Sequence, residues 1–423
     1  MVDIFASEPR YWHRRVAAPE KDLDAPEVLC VEGGIVLPLI ETEHGLAELQ
    51  GGVVTPAGGT AGAQVAGHRV FFDESRPHKR DVRQGYAVSS DIDYVDEDVV
   101  YGGGRRARHF GHFLIETLSR LWYCSEEGGR GKRVVFPDVD LGRNDRLVDM
   151  LVSCGIRRDR LVFLDRPTRF RSVTVPGQSM YLGDGVVNFE RSRQIFDRVR
   201  DSVTPDTVDK VYLTRSRLGR SDPSWREVNE TMLEDFFRRQ GYAVVSPEKL
   251  SFGEQVALMA GAKEVACTVG TVSHLLLFCQ QNVRASLFLR SGRWAPPIQW
   301  AICHMRTSDW CLVDCTMPLL PAGMRAGVVY YATTEPWSQY AREWFGAEEP
   351  SRPTDLDITR YLKEWSECVA TCTPDQLHRF PSWRPDYLAS SISKFVSGAP
   401  LDKETRMRLR HFYEEPRRTA RKG

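Results

Sequence analysis

Between Val211 and Leu289 short apolar runs alternate with helix-like segments five times in about 80 residues, and this rhythm restricts the fold more than any other feature of the 423-residue chain. Val211–Leu213, Ala243–Val245, Glu264–Thr268 and Val283–Leu289 read as buried strands. Ser224 with Glu227, and Ser251 with Glu254, have the Ser-x-x-Glu spacing of a capping box, in which each side chain satisfies the other residue's backbone N–H. They predict helices running to Gln240 and to about Gly261. Gly270 and Thr271 then turn into an apolar helix through Cys279. Short strands separated by helices bury both sheet faces, so the expected fold is α/β with a doubly wound parallel sheet.

The preceding block has the same character. His109–Cys124 carries Phe113, Leu114, Thr117, Leu118, Leu121 and Trp122 on one helical stripe. Lys132–Phe136 and Leu161–Leu164 read as strands around a helix from Asp145 to Cys154, which Gly155 ends. Pro176–Gly185 reads as a linker before a polar helix at about 189–203. The first hundred residues read as irregular β structure, with Val28–Ile40 broken by Gly33, Gly34 and Pro38. Val70–Phe72 and Val99–Tyr101 are short strand candidates, and Gln50–Gly67 reads as loop. After Pro353 the pattern is helical, ending in a basic tail, Arg417–Lys422. These shifts divide the chain into 1–205, 206–345 and 346–423.

Composition narrows the function classes. Hydrophobic residues make up 42%, enough for packed cores. The 57 basic and 57 acidic residues cancel, which argues against nucleic acid as the main partner. Met1–Arg15 lacks the apolar core of a signal peptide, and no run approaches the roughly 20 residues of a membrane span. The expected location is therefore cytoplasmic, with ten reduced cysteines. Cys311/Cys315 and Cys368/Cys372 have C-x-x-x-C spacing, but without a tight C-x-x-C knuckle they read as core thiols rather than zinc ligands.

Four constellations could carry chemistry. His112 and Glu116 are i, i+4 on a predicted helix and share a face, where a carboxylate can orient an imidazole as general base; the structural alternative is a polar seam. Arg215, Arg217 and Arg220 follow the strand Val211–Leu213, where guanidinium forks could clamp a diphosphate; the alternative is a solvated basic loop. Gly270, Thr271, Ser273 and His274 sit where a helix starts after a strand, a place that attracts anions; the alternative is an ordinary N-cap. Asp91/Asp93 and Asp138/Asp140 have metal-binding D-x-D spacing, which chance also produces in a chain this acidic. Trp294, Trp300, Trp310, Tyr330 and Trp337 could stack on sugars, though most such aromatics belong to cores.

The segment Gly111-His-Phe-Leu-Ile-Glu-Thr-Leu-Ser-Arg-Leu-Trp122 resembles the H-F-x-x-E-x-L-x-R-L-W signature of glycosyltransferase family 61, a group often labelled capsular polysaccharide biosynthesis proteins in bacteria. Tyr212–Arg215, Arg220, Asn229-Glu230, Gly241–Glu248, Leu250-Ser251 and Glu254-Gln255 agree with that family in order and spacing, so the likeness spans about residues 85–290. Where the family often has G-x-H-G-A-x-L-T-N, this chain keeps Gly270 but carries Val269 for the histidine and Leu275 for the asparagine. His274 stands to take over one of these roles.

The resemblance implies a GT-B fold, two Rossmann-like domains facing across a cleft, with the donor held mainly by the second. It implies an inverting, metal-independent transferase using a nucleotide sugar such as a UDP-sugar as co-substrate, and a glycan or lipid-linked glycan acceptor. Peripheral association with the inner face of the membrane and a homo-oligomer are compatible with it. In this reading His112 is the base and Glu116 its orienter. Arg215, Arg220, Gly270, Thr271, Ser273 and His274 hold the diphosphate, and Asn229, Glu230 and Glu254 contact ribose or sugar. The rival readings are a pyruvyl or phosphoryl transferase acting on a polysaccharide, and a sugar-nucleotide or glycan binder that has lost activity through the altered turn.

Overall fold

The computed structural model describes residues 11–15, 26, 28–42, 45–54, 64–65, 92–103, 109–180, 188–218, 225–290, 297–317 and 327–371. In chain order the strands begin with β1 (Tyr11–Arg15), β2 (Val28–Glu32), β3 (Ile35–Thr42), β4 (Gly45–Val54) and β5 (Gln64–Val65). They continue with β6 (Asp93–Tyr101), β7 (Arg133–Phe136), β8 (Leu161–Phe163) and β9 (Thr168–Pro176). The first sheet has the order β5-β4-β3-β9-β6-β7-β8, with β2 also paired to β9. Its β9-β6-β7-β8 part is parallel, as the strand–helix alternation predicts, whereas β2 to β5 attach antiparallel.

Two details correct the reading of this block. The start of Gln50–Gly67 is not loop: β4 runs to Val54 and pairs with β3, and Gly51 and Gly52 take positive φ values of 130° and 102° that let the strand bend. The strand β9, which alternates exposed and buried residues before becoming fully buried, fills the stretch between Leu164 and the Pro176 linker, where the sequence pattern predicts no element. Val70–Phe72 lies outside the described residues.

The second sheet contains β10 (Lys210–Leu213), β12 (Ala243–Val245), β13 (Glu264–Thr268), β14 (Val283–Phe288) and β15 (Thr307–Val313). Beside it lies a parallel ribbon of β11 (Trp225–Val228) and β16 (Gly327–Tyr330). The sheet order is β12-β10-β13-β14-β15, all parallel, and β1 adds antiparallel beyond β15. Successive strand residues face opposite sides. Val211, Leu213, Val265, Cys267 and Leu287 join the core under the helices Phe252–Gly261, Thr271–Phe278 and Pro297–Arg306. Tyr212, Ala266 and Phe288 join a second core under Thr231–Arg239 and Glu335–Phe345. The sheet is thus covered on both faces, as expected for a doubly wound unit. The first of these cores also includes Val100, Val134 and Leu151, so it continues from one sheet to the other.

Of the expected Ser224–Glu227 capping box, Ser224 lies outside the described residues, and Glu227 does not stand in a helix. Glu227 lies on β11, paired with β16, and the helix begins only at Thr231, after Asn229 turns the chain with φ 66°. The second box is present: Ser251 Oγ accepts from Glu254 N–H at 3.3 Å, and Glu254 accepts from Ser251 N–H at 2.7 Å. A helix at Asp355–Ala370 packs on the ribbon, where Arg226 Nη1 reaches Glu364 at 3.1 Å. The tail Arg417–Lys422 and Cys372 lie outside the described residues; Cys311, Cys315 and Cys368 are buried. Among the described residues no helix is long and apolar enough to cross a membrane.

Candidate active site

The His112–Glu116 segment is helical, as its apolar stripe predicts, but not as one α-helix. A short α turn at Phe110–His112 passes into a π turn, Phe113–Thr117, and then a 3-10 segment, Leu118–Ser125. In the π turn Leu118 N–H donates to the Phe113 carbonyl, five residues back. Such widened turns gather at functional sites. His112 and Glu116 are 5% and 6% exposed, with Nδ1 3.0 Å from Oε1. The two atoms are close but not in hydrogen-bond alignment. The His109 ring meets the His112 ring edge-on at 4.8 Å.

What fixes this segment is the stretch expected to be a linker. Arg120 Nη1 donates to the Pro176 carbonyl at 2.6 Å and Trp122 Nε1 to the Gly177 carbonyl at 3.0 Å. Gln178 Nε2 donates to the Glu116 carbonyl at 3.0 Å, and Ser179 N–H to the Ser119 carbonyl at 3.0 Å. Gln178 and Ser179 are buried, so residues 176–179 are a brace packed against the motif rather than a solvated connection.

The second motif follows β13. Gly270 has φ 136°, a conformation that a side chain opposes, and Thr271 opens the 3-10 segment Thr271–Phe278. Ser273 is fully buried; its hydroxyl accepts from Gly270 N–H at 3.1 Å and faces the Gly270 carbonyl at 2.7 Å and Gln299 Oε1 at 2.6 Å. Its single proton serves one of those acceptors at a time, so this hydroxyl is engaged in closing the turn. His274 is buried beside the first motif. Burial first, and then the proximity of His112 and His109, push its pKa down to about 3. It is neutral at pH 7 and offers a single N–H, not a charge. Thr271 is half-buried.

The two motifs touch at Gly111. A Cβ at this position would lie 3.1 Å from Thr271 Oγ1 and 3.2 Å from His274 Nδ1. Residues separated by 160 positions therefore line one place.

Arg215 reaches the same region from β10. Its loop is held from below by two carboxylates at the start of the Thr231–Arg239 helix. Arg215 N–H donates to both oxygens of Glu230, at 3.0 and 3.1 Å, and Tyr212 OH donates to Glu230 Oε1 at 3.0 Å. Glu234 Oε1 accepts from Thr214 Oγ1 at 2.6 Å and from the Ser216 hydroxyl. Glu230 is pushed up to about 7, chiefly by burial and partly by the charge of Glu227. Glu230, expected at the ribose or sugar, shapes the Arg215 loop. Asn229 donates to the Tyr331 carbonyl at 2.8 Å, and Glu254 is engaged in its capping box. Arg217 is exposed, and Arg220 lies outside the described residues.

Above that loop, Glu227 Oε2 lies 3.4 Å from Arg215 Nε, while Oε1 accepts from Arg290 Nη2. The sequence motifs mark neither Glu227 nor Arg290 as a site residue. Glu227 was hidden by its false capping-box spacing. Arg290 could have been found, because it stands two residues past β14 as Arg215 stands two past β10. The chain leaves β10 toward β12 on one side, while β13 lies on the other. The gap between β10 and β13 is thus the topological switch point, where open α/β sheets bind ligands beyond their strand ends.

The remaining candidates lie elsewhere. Asp93 pairs with Arg166 at 2.8 Å, Asp138 caps the turn Val139–Gly142, and Asp140 pairs with Arg143 at 2.9 Å; Asp91 is outside the described residues. Trp310, Tyr330 and Trp337 are buried in cores, and Trp300 packs edge-on against Trp310 at 4.7 Å, while Trp294 is outside the described residues.

A parallel sheet with cations and a glycine turn at its switch point, joined by a buried His–Glu pair, is an α/β arrangement of the kind whose ligands bind beyond the strand ends. Residues 110–285 match the family model Glycosyltransferase 61. The match supports a glycosyltransferase. No curated protein matches the chain.

Proposed function

We propose that the protein is an inverting glycosyltransferase that moves a sugar from a nucleotide donor, a UDP-sugar in the first instance, to a hydroxyl of a glycan or lipid-linked glycan. The observation that carries this reading is the contact of Gly111 with Thr271 and His274, which joins the His–Glu pair to the turn at the switch point. In this scheme Nδ1 of His112 faces Glu116, and Nε2 takes the acceptor proton. The acceptor oxygen forms its bond to the anomeric carbon as the bond to the diphosphate breaks, and the leaving oxygen keeps the electron pair. Arg215, with Arg220 five residues on in the sequence, meets the charge that develops on the diphosphate. The N–H of Thr271 and the neutral His274 would hydrogen-bond it, without a metal ion. A GT-B pairing of the two blocks, in the cytoplasm or at the inner face of the membrane, is the arrangement this chemistry suits.

The test is a thermal-shift screen of nucleotide sugars followed by product mass. A true donor at about 100 times its Kd adds roughly 2.7 kcal/mol of stability. Transfer should add a hexose or pentose mass to the acceptor and proceed in EDTA. Addition of a pyruvyl or phosphoryl mass, or binding without turnover, would overturn this function in favour of one of its rivals.

A further inference from the structure

We propose that Arg290 is a second cation of the donor site and contacts the diphosphate from the side of the Gly270 turn opposite Arg215. The inference rests on the nucleotide-sugar reading above, and Arg290 lies beyond the segment, 110–285, that carries the family match.

Position is the first support. β13 lies between β10 and β14, and all three are parallel. Arg215, Gly270 and Arg290 each stand two residues past the ends of these strands. Thr268 pairs with Phe288, so Gly270 and Arg290 leave the sheet at the same level. The two arginines therefore flank the turn.

The glycine is the second. A Cβ at residue 270 would lie 2.6 Å from Arg290 Nη1. The space that a side chain would fill is taken by the guanidinium. Gly270 thus permits both the φ of 136° and the approach of Arg290 to the turn.

Charge is the third. Both guanidinium groups are gathered by one carboxylate, since Glu227 accepts from Arg290 Nη2 and lies 3.4 Å from Arg215 Nε. The groups are only partly exposed: 21% for the Arg215 side chain, 22% for Arg290 and 13% for Glu227. Two guanidinium groups against one carboxylate leave a net positive charge beside the turn, which suits an anionic ligand.

Calorimetric titration of UDP and uridine tests this against wild type, Arg290→Ala, Arg290→Gln and Arg215→Ala. The glutamine variant keeps a donor for Glu227 and removes the charge, so it decides the matter should the alanine variant fold poorly. Wild type should prefer UDP to uridine. Either Arg290 variant should weaken UDP by about 10- to 150-fold and leave uridine within about twofold. Wild-type UDP affinity in Arg290→Gln, alongside a loss in Arg215→Ala, would overturn the role of Arg290 while the nucleotide-sugar reading stands. A parallel loss of UDP and uridine would make Arg290 a structural brace and also overturn it. No preference for UDP in wild type would remove the nucleotide-sugar reading itself.

Discussion

Gly111 and His274 are in direct contact: a Cβ on residue 111 would sit 3.2 Å from His274 Nδ1. The contact carries no backbone strain, because Gly111 has an ordinary helical conformation. Its demand is for space. Ala at this position asks Thr271 and His274 to move by a few tenths of an ångström, whereas a branched side chain asks for more. Gly111→Val should therefore separate the two motifs, cost about 1–3 kcal/mol through overpacking, and cut sugar transfer at least 10-fold. Urea unfolding and initial rates on the same preparation check this. Wild-type transfer by the valine variant would show that the two motifs do not act together.

His112→Ala should lower turnover by about 100-fold or more while UDP affinity stays near wild type, because the base acts on the acceptor proton. Glu116→Gln keeps the shape but removes the charge beside Nδ1, and should lose less. A comparable loss of UDP affinity in His112→Ala would assign the histidine to the structure of the turn.

Glu230 makes stability depend on pH. Its folded pKa, about 7, lies above the ordinary carboxyl value of 4.5, so between these the folded protein keeps a proton that the unfolded chain releases. This contribution favours folding below about pH 4.5 and is lost as pH rises through 7. The shift corresponds to something on the order of 3 kcal/mol. Glu230→Gln should remove it, so relative to wild type the variant should gain stability between pH 5 and pH 8 in urea titrations. A difference that stays flat with pH would mean that Glu230 is not held protonated by its burial.

Much of this arrangement was legible in the sequence because it depends on local patterns. The alternation of apolar and helical runs predicted β10, β12, β13 and β14, and Gly155 marked a helix end, with φ 80°. The strand-end rule brought Arg215 and Gly270 into view. What stayed hidden depends on distant partners. The Ser224–Glu227 spacing mimics a cap, and only the pairing of β11 with β16 makes it a strand. Residues 176–179 look like a linker until Arg120 and Trp122 bond across to Pro176 and Gly177, and Gln178 bonds back to the Glu116 carbonyl. Glu230 gives no sign in the sequence that it lies under the Arg215 backbone.

The most direct test of the account is calorimetric titration of UDP and uridine into wild type, Arg215→Ala and Arg217→Ala. Arg215 is half-buried beside Glu227 and Gly270's neighbour Arg290, whereas Arg217, two residues on, is exposed. Loss of a charged hydrogen bond is worth about 1.5–3 kcal/mol. Arg215→Ala should therefore bind UDP about 10- to 150-fold more weakly with uridine nearly unchanged, and Arg217→Ala should match wild type for both ligands. Equal UDP affinity in all three proteins would contradict the account, because the loop after β10 would then be a basic surface with no part in holding a diphosphate.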